Sequence, residues 1–331
     1  MPKSSFTIPL TPEQLSAAAT LLRTGNYAPL AVPYTVAAAS TADCRIMLYS
    51  SGKCLVQGRG AENWIRFVLE PEILHEARLG YEEQLDPAGY SPHIGVDESG
   101  KGDFFGPLVI AGVYVDAPTA RDLVALGARD SKSISDGPAR ALARQLRERL
   151  ADRFTVVTIG PAAYNRLYAT MGSVNRILAW GHAKCIENLL EKVPDCPRAL
   201  SDQFGPPEQI RRALLQKGRK IQLDQRPRAE SDPAVAAASV IARDAFLAAL
   251  ARLSADAGLP LPKGASAAVV AAAASLAQAK GGASFLDFAK AHFKTADDAL
   301  AKISRTRATE GLPPASERRP FIPRRPSPPP P

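Results

Sequence analysis

Cysteine is sparse: Cys44, Cys54, Cys185 and Cys196 are the only four in 331 residues. They show neither Cys-x-x-Cys spacing nor an accompanying histidine pattern, which argues against a tetrahedral zinc site and for free thiols in a reducing cytosol. A long apolar run is lacking too. The nearest, the charge-free stretch 264–279, is mostly alanine and shorter than the ~20 residues a membrane-spanning helix needs. The opening MPKSSFTIPLTPEQ has no apolar core of a signal peptide, and no internal repeat is visible. The expectation is a soluble, cytoplasmic protein with no membrane partner. Its length suggests two domains, at roughly 100 to 200 residues each.

Positive charge is in excess, with a formal net charge of +8 and a pI near 9.4, which suits a polyanionic partner. Half of that excess is terminal. Residues 305–331 hold six arginines against two glutamates and nine of the 29 prolines, the composition of a disordered or polyproline-like basic tail. Such a tail would add non-specific affinity for nucleic acid, about one unit of salt slope per phosphate neutralised.

Residues 1–76 read as a small α+β unit. Thr11-Pro12-Glu13 offers an N-cap with proline at the first helical position. Strand-like runs follow at 34–39, 45–49 and 53–57, the last two joined by a Ser50-Ser51-Gly52 turn, and a second helix runs from Ala61 to Leu74. Residues 77–92 form a polar linker. From 93 to 304 the pattern alternates: an apolar strand ending at Asp97 and Glu98, strands at 108–115 and 154–159, a further strand ending at Asp202, and helices at 138–150, 173–190 and 233–253. This is an α/β arrangement, a mixed sheet with flanking helices.

The stretch HIGVDESGKGDFFGPLVIAGVYV, residues 93–115, concentrates the chemistry. Adjacent carboxylates Asp97 and Glu98 end an apolar strand, a placement that is costly without a cation or hydrogen bonds to compensate. Residues 95–101 also satisfy G-x-x-x-x-G-K, the start of a phosphate-binding loop. The mechanism of that loop is not satisfied. Gly102 stands where a magnesium-binding hydroxyl belongs, and two carboxylates would repel the phosphates. Metal binding by acids fits better, because a two-metal phosphodiester hydrolase gathers several hard oxygen ligands. Asp202, at a strand end, and Asp232, before Pro233 at a helix mouth, are further candidates; alone, the first reads as a solvated loop acid and the second as a helix cap.

The blocks GVDESGKGDFFGPLVIAGVYV (95–115), RDSKSISD (129–136), NRILAWGHAK (175–184), AESDPAVAAASVIAR (229–243), LPKGAS (261–266) and FAKAHFKT (288–295) together resemble the bacterial ribonucleases HIII of the type 2 ribonuclease H group, over nearly all of residues 1–304. The resemblance implies a ribonuclease H-like catalytic domain and a TATA-binding-protein-like substrate-binding domain at the amino terminus. It also implies hydrolysis of the RNA strand of RNA/DNA hybrids, leaving 5′-phosphate and 3′-hydroxyl ends, with Mg²⁺ or Mn²⁺ and no organic cofactor. Asp97, Glu98, Asp202 and Asp232 match the family's metal-binding acids. Gly100, Lys101 and Gly102 match its substrate-reading turn, and Ser131 and Lys132, with Lys263-Gly264 beside them, fall in blocks suited to phosphate contact. His182 and His292 read as packed or hydrogen-bonded residues outside the catalytic set. The alternatives are ribonuclease HII-like cutting at single ribonucleotides in DNA and a non-catalytic hybrid-binding protein; protein partners are not indicated.

Overall fold

A computed structural model describes residues 5–75, 87–128, 134–214, 218–226 and 229–314. The chain divides into two compact units, Met1–Tyr90 and Ser91–Pro331. Ser131 and Lys132 lie outside the described residues, as do positions 77–86 of the expected linker.

In the first unit, strands β1 (Ser5–Pro9), β2 (Ala28–Pro29), β3 (Thr35–Ser40), β4 (Cys44–Tyr49) and β5 (Lys53–Gly58) form one antiparallel sheet in the order β1-β5-β4-β3-β2. The β4–β5 hairpin turns through Gly52, whose φ of 81° lies in the region that favours glycine. Helix α1 (Pro12–Thr24) opens with a capping box in which Thr11 and Gln14 exchange side-chain-to-backbone bonds of 3.2 and 3.0 Å, satisfying two otherwise orphaned amides. Ile46, Leu48, Cys54 and Val56 from the sheet pack with Ala18, Leu22 and Trp64 from the helices. The second helix departs from expectation: α2 (Ala61–Trp64) continues as a π-helix over Ile65–Leu74 with Pro71 inside it. Proline supplies no amide for an ordinary helical bond, and a widened turn absorbs the defect.

In the second unit, which follows the short helix α3 (Pro87–Tyr90), the sheet order is β10-β9-β6-β7-β8. Its strands are β6 (His93–Ser99), β7 (Leu108–Val115), β8 (Phe154–Ile159), β9 (Arg198–Asp202) and β10 (Gln222–Arg226). Strand β6 pairs antiparallel with β7 and parallel with β9, so the sheet is mixed. The helices are α4 (Ala117–Ala125), α5 (Asp136–Leu150), α6 (Pro161–Met171), α7 (Val174–Leu190), α8 (Pro207–Ala213), α9 (Pro233–Ala257), α10 (Ala267–Lys280), α11 (Phe285–Phe288) and α12 (Lys294–Ala301). Helix α7 packs on one face, where a Cβ on Gly181 would fall 2.6 Å from Ile110 of β7. Helix α9 covers the other face, with the main chain at Ala234 and Val235 against Gly95 of β6. The core between α7 and the sheet includes Ile94, Val96, Ile110, Ile177, Ile186 and Leu189, all fully buried.

Helix α9 has the length and apolar composition of a membrane-crossing helix, with a mean hydropathy of 1.7 over its most apolar window, but 61% of that window is buried inside the protein, where it packs on β6 as a core helix. One expectation needs correction. The packed chain continues past residue 304. The Arg307 guanidinium donates to both carboxylate oxygens of Asp297 at 2.5 and 3.1 Å and to the carbonyl of Ala291 at 2.8 Å, and Leu312 is buried. Charge-assisted bonds and one apolar anchor hold residues that composition assigned to a tail. Residues 315–331 lie outside the described residues.

Candidate active site

Strand periodicity decides where the adjacent carboxylates go. Side chains alternate between faces, so Glu98 shares a face with Val96 and with Ile110, its partner across β7, and points toward α7. Asp97 points to the opposite face with His93 and Gly95, toward α9. The parallel register sets Val96 beside Ser201; one residue on, Asp202 ends β9 beside Asp97 on the same face. Asp202 Oδ1 accepts from the amide of Ala229 at 3.3 Å. Ala229 begins the turn that delivers Asp232, whose amide bonds back to the Ala229 carbonyl at 2.9 Å.

Asp232 caps α9 as expected, its Oδ1 accepting from the amides of Ala234 and Val235 at 2.9 and 3.2 Å. The same oxygen also lies 2.9 Å from His93 Nε2, and His93 Nδ1 lies 2.7 Å from the Ser91 carbonyl. Each ring nitrogen of His93 thus faces an oxygen acceptor. The second oxygen, Oδ2, is buried and has no hydrogen-bond partner, in a side chain only 1% exposed. Capping accounts for one carboxylate oxygen and leaves the other uncompensated, an arrangement that a nearby cation would relieve.

On the α7 face, Glu98 Oε2 accepts from His182 Nε2 at 3.1 Å, and Oε1 faces Lys101 Nζ at 3.4 Å. Burial raises the Glu98 pKa, but the His182 and Lys101 contacts outweigh it and hold the carboxyl below its ordinary range. His182 is itself fully buried, with Nδ1 3.0 Å from Ser201 Oγ and its ring 4.8 Å from that of Phe204. Lys101 Nζ lies 5.6 Å from the Phe204 ring centroid. Asp97 Oδ1 accepts from the Glu98 amide at 2.8 Å.

The fold therefore sets Asp97, Asp202 and Asp232 on one face of the sheet and Glu98 on the other. Among the described residues, no three histidine, cysteine, aspartate or glutamate side chains are gathered closely enough to hold a metal ion as they stand. Like charges repel, and each carboxylate is turned onto a protein donor. The donor set, four carboxylates and no thiolate, suits a hard divalent cation such as Mg²⁺ or Mn²⁺. The four cysteines are free and buried, and burial raises every one of their pKa values, that of Cys54 to about 12.

The Gly100–Gly102 turn follows β6. Gly100 has φ 91°, and a Cβ there would fall 2.3 Å from the Pro107 carbonyl oxygen; around Gly102 the same construction meets nothing within 4 Å. Lys101 and Gly102 are exposed. Gly264 joins this turn, its amide donating to Asp103 Oδ1 at 2.6 Å and its carbonyl accepting from Phe104 N at 2.9 Å. Lys263 instead bonds Asp136 at 2.6 Å. His93 and Ser201 were not among the residues the sequence singled out. His182, expected to be packed or hydrogen-bonded, is both, with Glu98 and Ser201 as its partners.

A family model described as Ribonuclease HII matches residues 94–296, and one described as a domain of unknown function (DUF3378) matches residues 23–76. A protein named Ribonuclease HIII from Protochlamydia amoebophila is 43% identical over 272 residues, 82% of this chain and 89% of that one. Another of that name from Chlamydia trachomatis serovar L2 is 39% identical over 299 residues, 90% of this chain and 98% of that one. Among solved structures, Bst-RNase HIII in complex with Mn²⁺ matches with a TM-score of 0.63 at 30% identity, covering 90% of this chain and 99% of that one.

Proposed function

The chain belongs to the ribonuclease HII family, and from that membership we propose that it is a ribonuclease H that cuts the RNA strand of RNA/DNA hybrids, as a ribonuclease HIII. The observation that carries the site assignment is the buried, unpartnered Oδ2 of Asp232, in the turn bonded to Asp202 and on the sheet face that Asp97 shares. Asp97, Glu98, Asp202 and Asp232 are the residues that would hold the divalent ions. When bound, such ions supply an activated water and stabilise the charge on the leaving oxygen.

The chain's own groups prepare this chemistry. His93 and the first amides of α9 fix the Asp232 carboxylate through one oxygen and keep the other available. His182, braced by Ser201, fixes Glu98 in its ionised form, as partners of ligating groups commonly do. The Gly100–Gly102 turn offers an unobstructed main chain to the ribose 2′-hydroxyls, the feature that separates RNA from DNA, and Lys101 adds a cation for phosphate. Ser131 and Lys132 belong to the same substrate assignment. No protein nucleophile is required. Four free thiols and a hybrid substrate suit a reducing cytoplasm.

The test is cleavage of three labelled duplexes by the full chain with Mg²⁺ or Mn²⁺: an RNA/DNA hybrid, DNA with one embedded ribonucleotide, and all-DNA. Cutting of the hybrid alone, abolished in Asp97→Asn, is the expected result. Efficient cutting at the single ribonucleotide would reassign the chain to ribonuclease HII-like specificity. No metal-dependent cutting by folded protein would overturn the nuclease reading and favour a binding role.

A further inference from the structure

Lys290 is a fully buried lysine that the proposed chemistry does not use. It lies between α11 and α12, in a segment that pairs with the chain just after the Gly100–Gly102 turn. Lys290 N donates to the Phe104 carbonyl at 2.8 Å, Gly106 N donates to the Phe288 carbonyl at 3.0 Å, and Phe105 and Ala289 form an antiparallel bridge. Through this pairing the lysine side chain reaches beneath the turn. Its Nζ donates to the carbonyl oxygens of Asp103 and Gly106, each at 2.8 Å, and lies 5.8 Å from the Tyr164 ring centroid.

These partners are carbonyls and a ring rather than a carboxylate; the nearby Asp103 carboxylate is engaged by the Gly264 amide. An ammonium held this way is expensive to bury. Burial drives its pKa down to about 7 against the opposing attraction of Asp103. A methionine would fill the same space without that cost, so what the lysine contributes is its donors. Their location gives the contribution a direction. The Asp103 amide closes the turn onto the Gly100 carbonyl at 3.3 Å, and Lys290 holds the carbonyl of that same residue. With Gly100 pressed against Pro107, the base of the turn is fixed on both sides and only Lys101 and Gly102 are left facing outward.

We infer that Lys290 is a positioning residue for substrate recognition, holding the Gly100–Gly102 turn in the shape that meets the hybrid without touching it. The inference rests on the ribonuclease reading above.

The experiment compares the full-length parent with Lys290→Met on a defined RNA/DNA hybrid, measuring kcat and KM separately, with a thermal melt to establish folding. A loosened recognition turn weakens binding more than the chemical step, so KM is expected to rise about tenfold or more, by a larger factor than any loss in kcat. A folded Lys290→Met with KM within twofold of the parent, or with a loss confined to kcat, overturns the inference. If Lys290→Met does not fold, Lys290→Gln, which is shorter and carries only one amide group, is judged by the same criterion. A parent that cuts no hybrid defeats the ribonuclease reading itself, an outcome distinct from an active parent whose variant is unchanged.

Discussion

At the scale of single residues, histidines do the work of shaping the carboxylates. His182 is buried against Glu98 and Ser201. Replacing it with phenylalanine keeps the ring and its packing beside Phe204 but removes the donor. Hybrid cleavage is then expected to fall about 10- to 100-fold with the melting temperature little changed; undiminished cleavage would remove His182 from the account. His292 acts on stability. It stacks on Tyr168 and beside Tyr164, with centroids 4.1 and 5.5 Å away, and burial, then Lys290 and Arg307, lower its pKa from 6.5 to about 4. Between those values the unfolded chain binds a proton that the folded chain refuses, so stability falls as pH drops from about 6.5 to 4. His292→Phe is therefore expected to lose less melting temperature than the parent over that interval. An equal loss in both proteins would contradict this.

The carboxylates were legible because adjacent acids at a strand end and an acid before proline are patterns with physical consequences. The two faces they take follow from alternation once β6 is placed. That His182 is packed and hydrogen-bonded was legible, but its partner was not, since a buried histidine on an apolar helix looks the same in sequence whether or not a carboxylate waits opposite. His93 gave no signal, because its partner Asp232 lies 139 positions away.

At the scale of elements, the approach of α9 to β6 depends on Gly95. A Cβ at that position would lie 2.4 Å from the Val235 amide nitrogen and 2.5 Å from the Ala234 carbonyl carbon. Backbone cannot yield as a flexible side chain does, so Gly95→Ala must shift the helix that carries Asp232. A loss of about 1–3 kcal/mol in stability is expected in chemical denaturation, together with impaired cleavage. Full stability and activity would show that α9 does not depend on this contact. Strands β7 and β8 appear at the bounds their apolar and β-branched runs suggest, and the Asp232 cap starts α9 where its sequence places it. Strand β10 escaped detection. Its sequence QLDQR is polar at the sheet edge, and its parallel pairing with β9 comes from tertiary context rather than local pattern. The π-helical stretch was likewise hidden, since Pro71 marks a defect without specifying how it is absorbed.

At the scale of the whole molecule, the charge excess is less concentrated in a free tail than composition suggests. Arg305 and Arg307 are engaged by Glu310 and Asp297, which leaves four arginines, Arg318, Arg319, Arg324 and Arg325, beyond residue 314. The central claim does not depend on them. It is that one end of the mixed sheet, with the capped start of α9 and the buried face of α7, forms a metal-dependent site for cutting RNA in a hybrid. The most direct measurement is hybrid cleavage by the full chain beside the single substitutions Asp97→Asn, Glu98→Gln, Asp202→Asn and Asp232→Asn, each verified as folded. Losing charge stabilisation worth several kcal/mol corresponds to a loss on the order of a thousandfold, and the account predicts such a loss for every one of the four. A folded variant that retains near-parental activity would contradict the assignment of that carboxylate and, with it, the four-residue site.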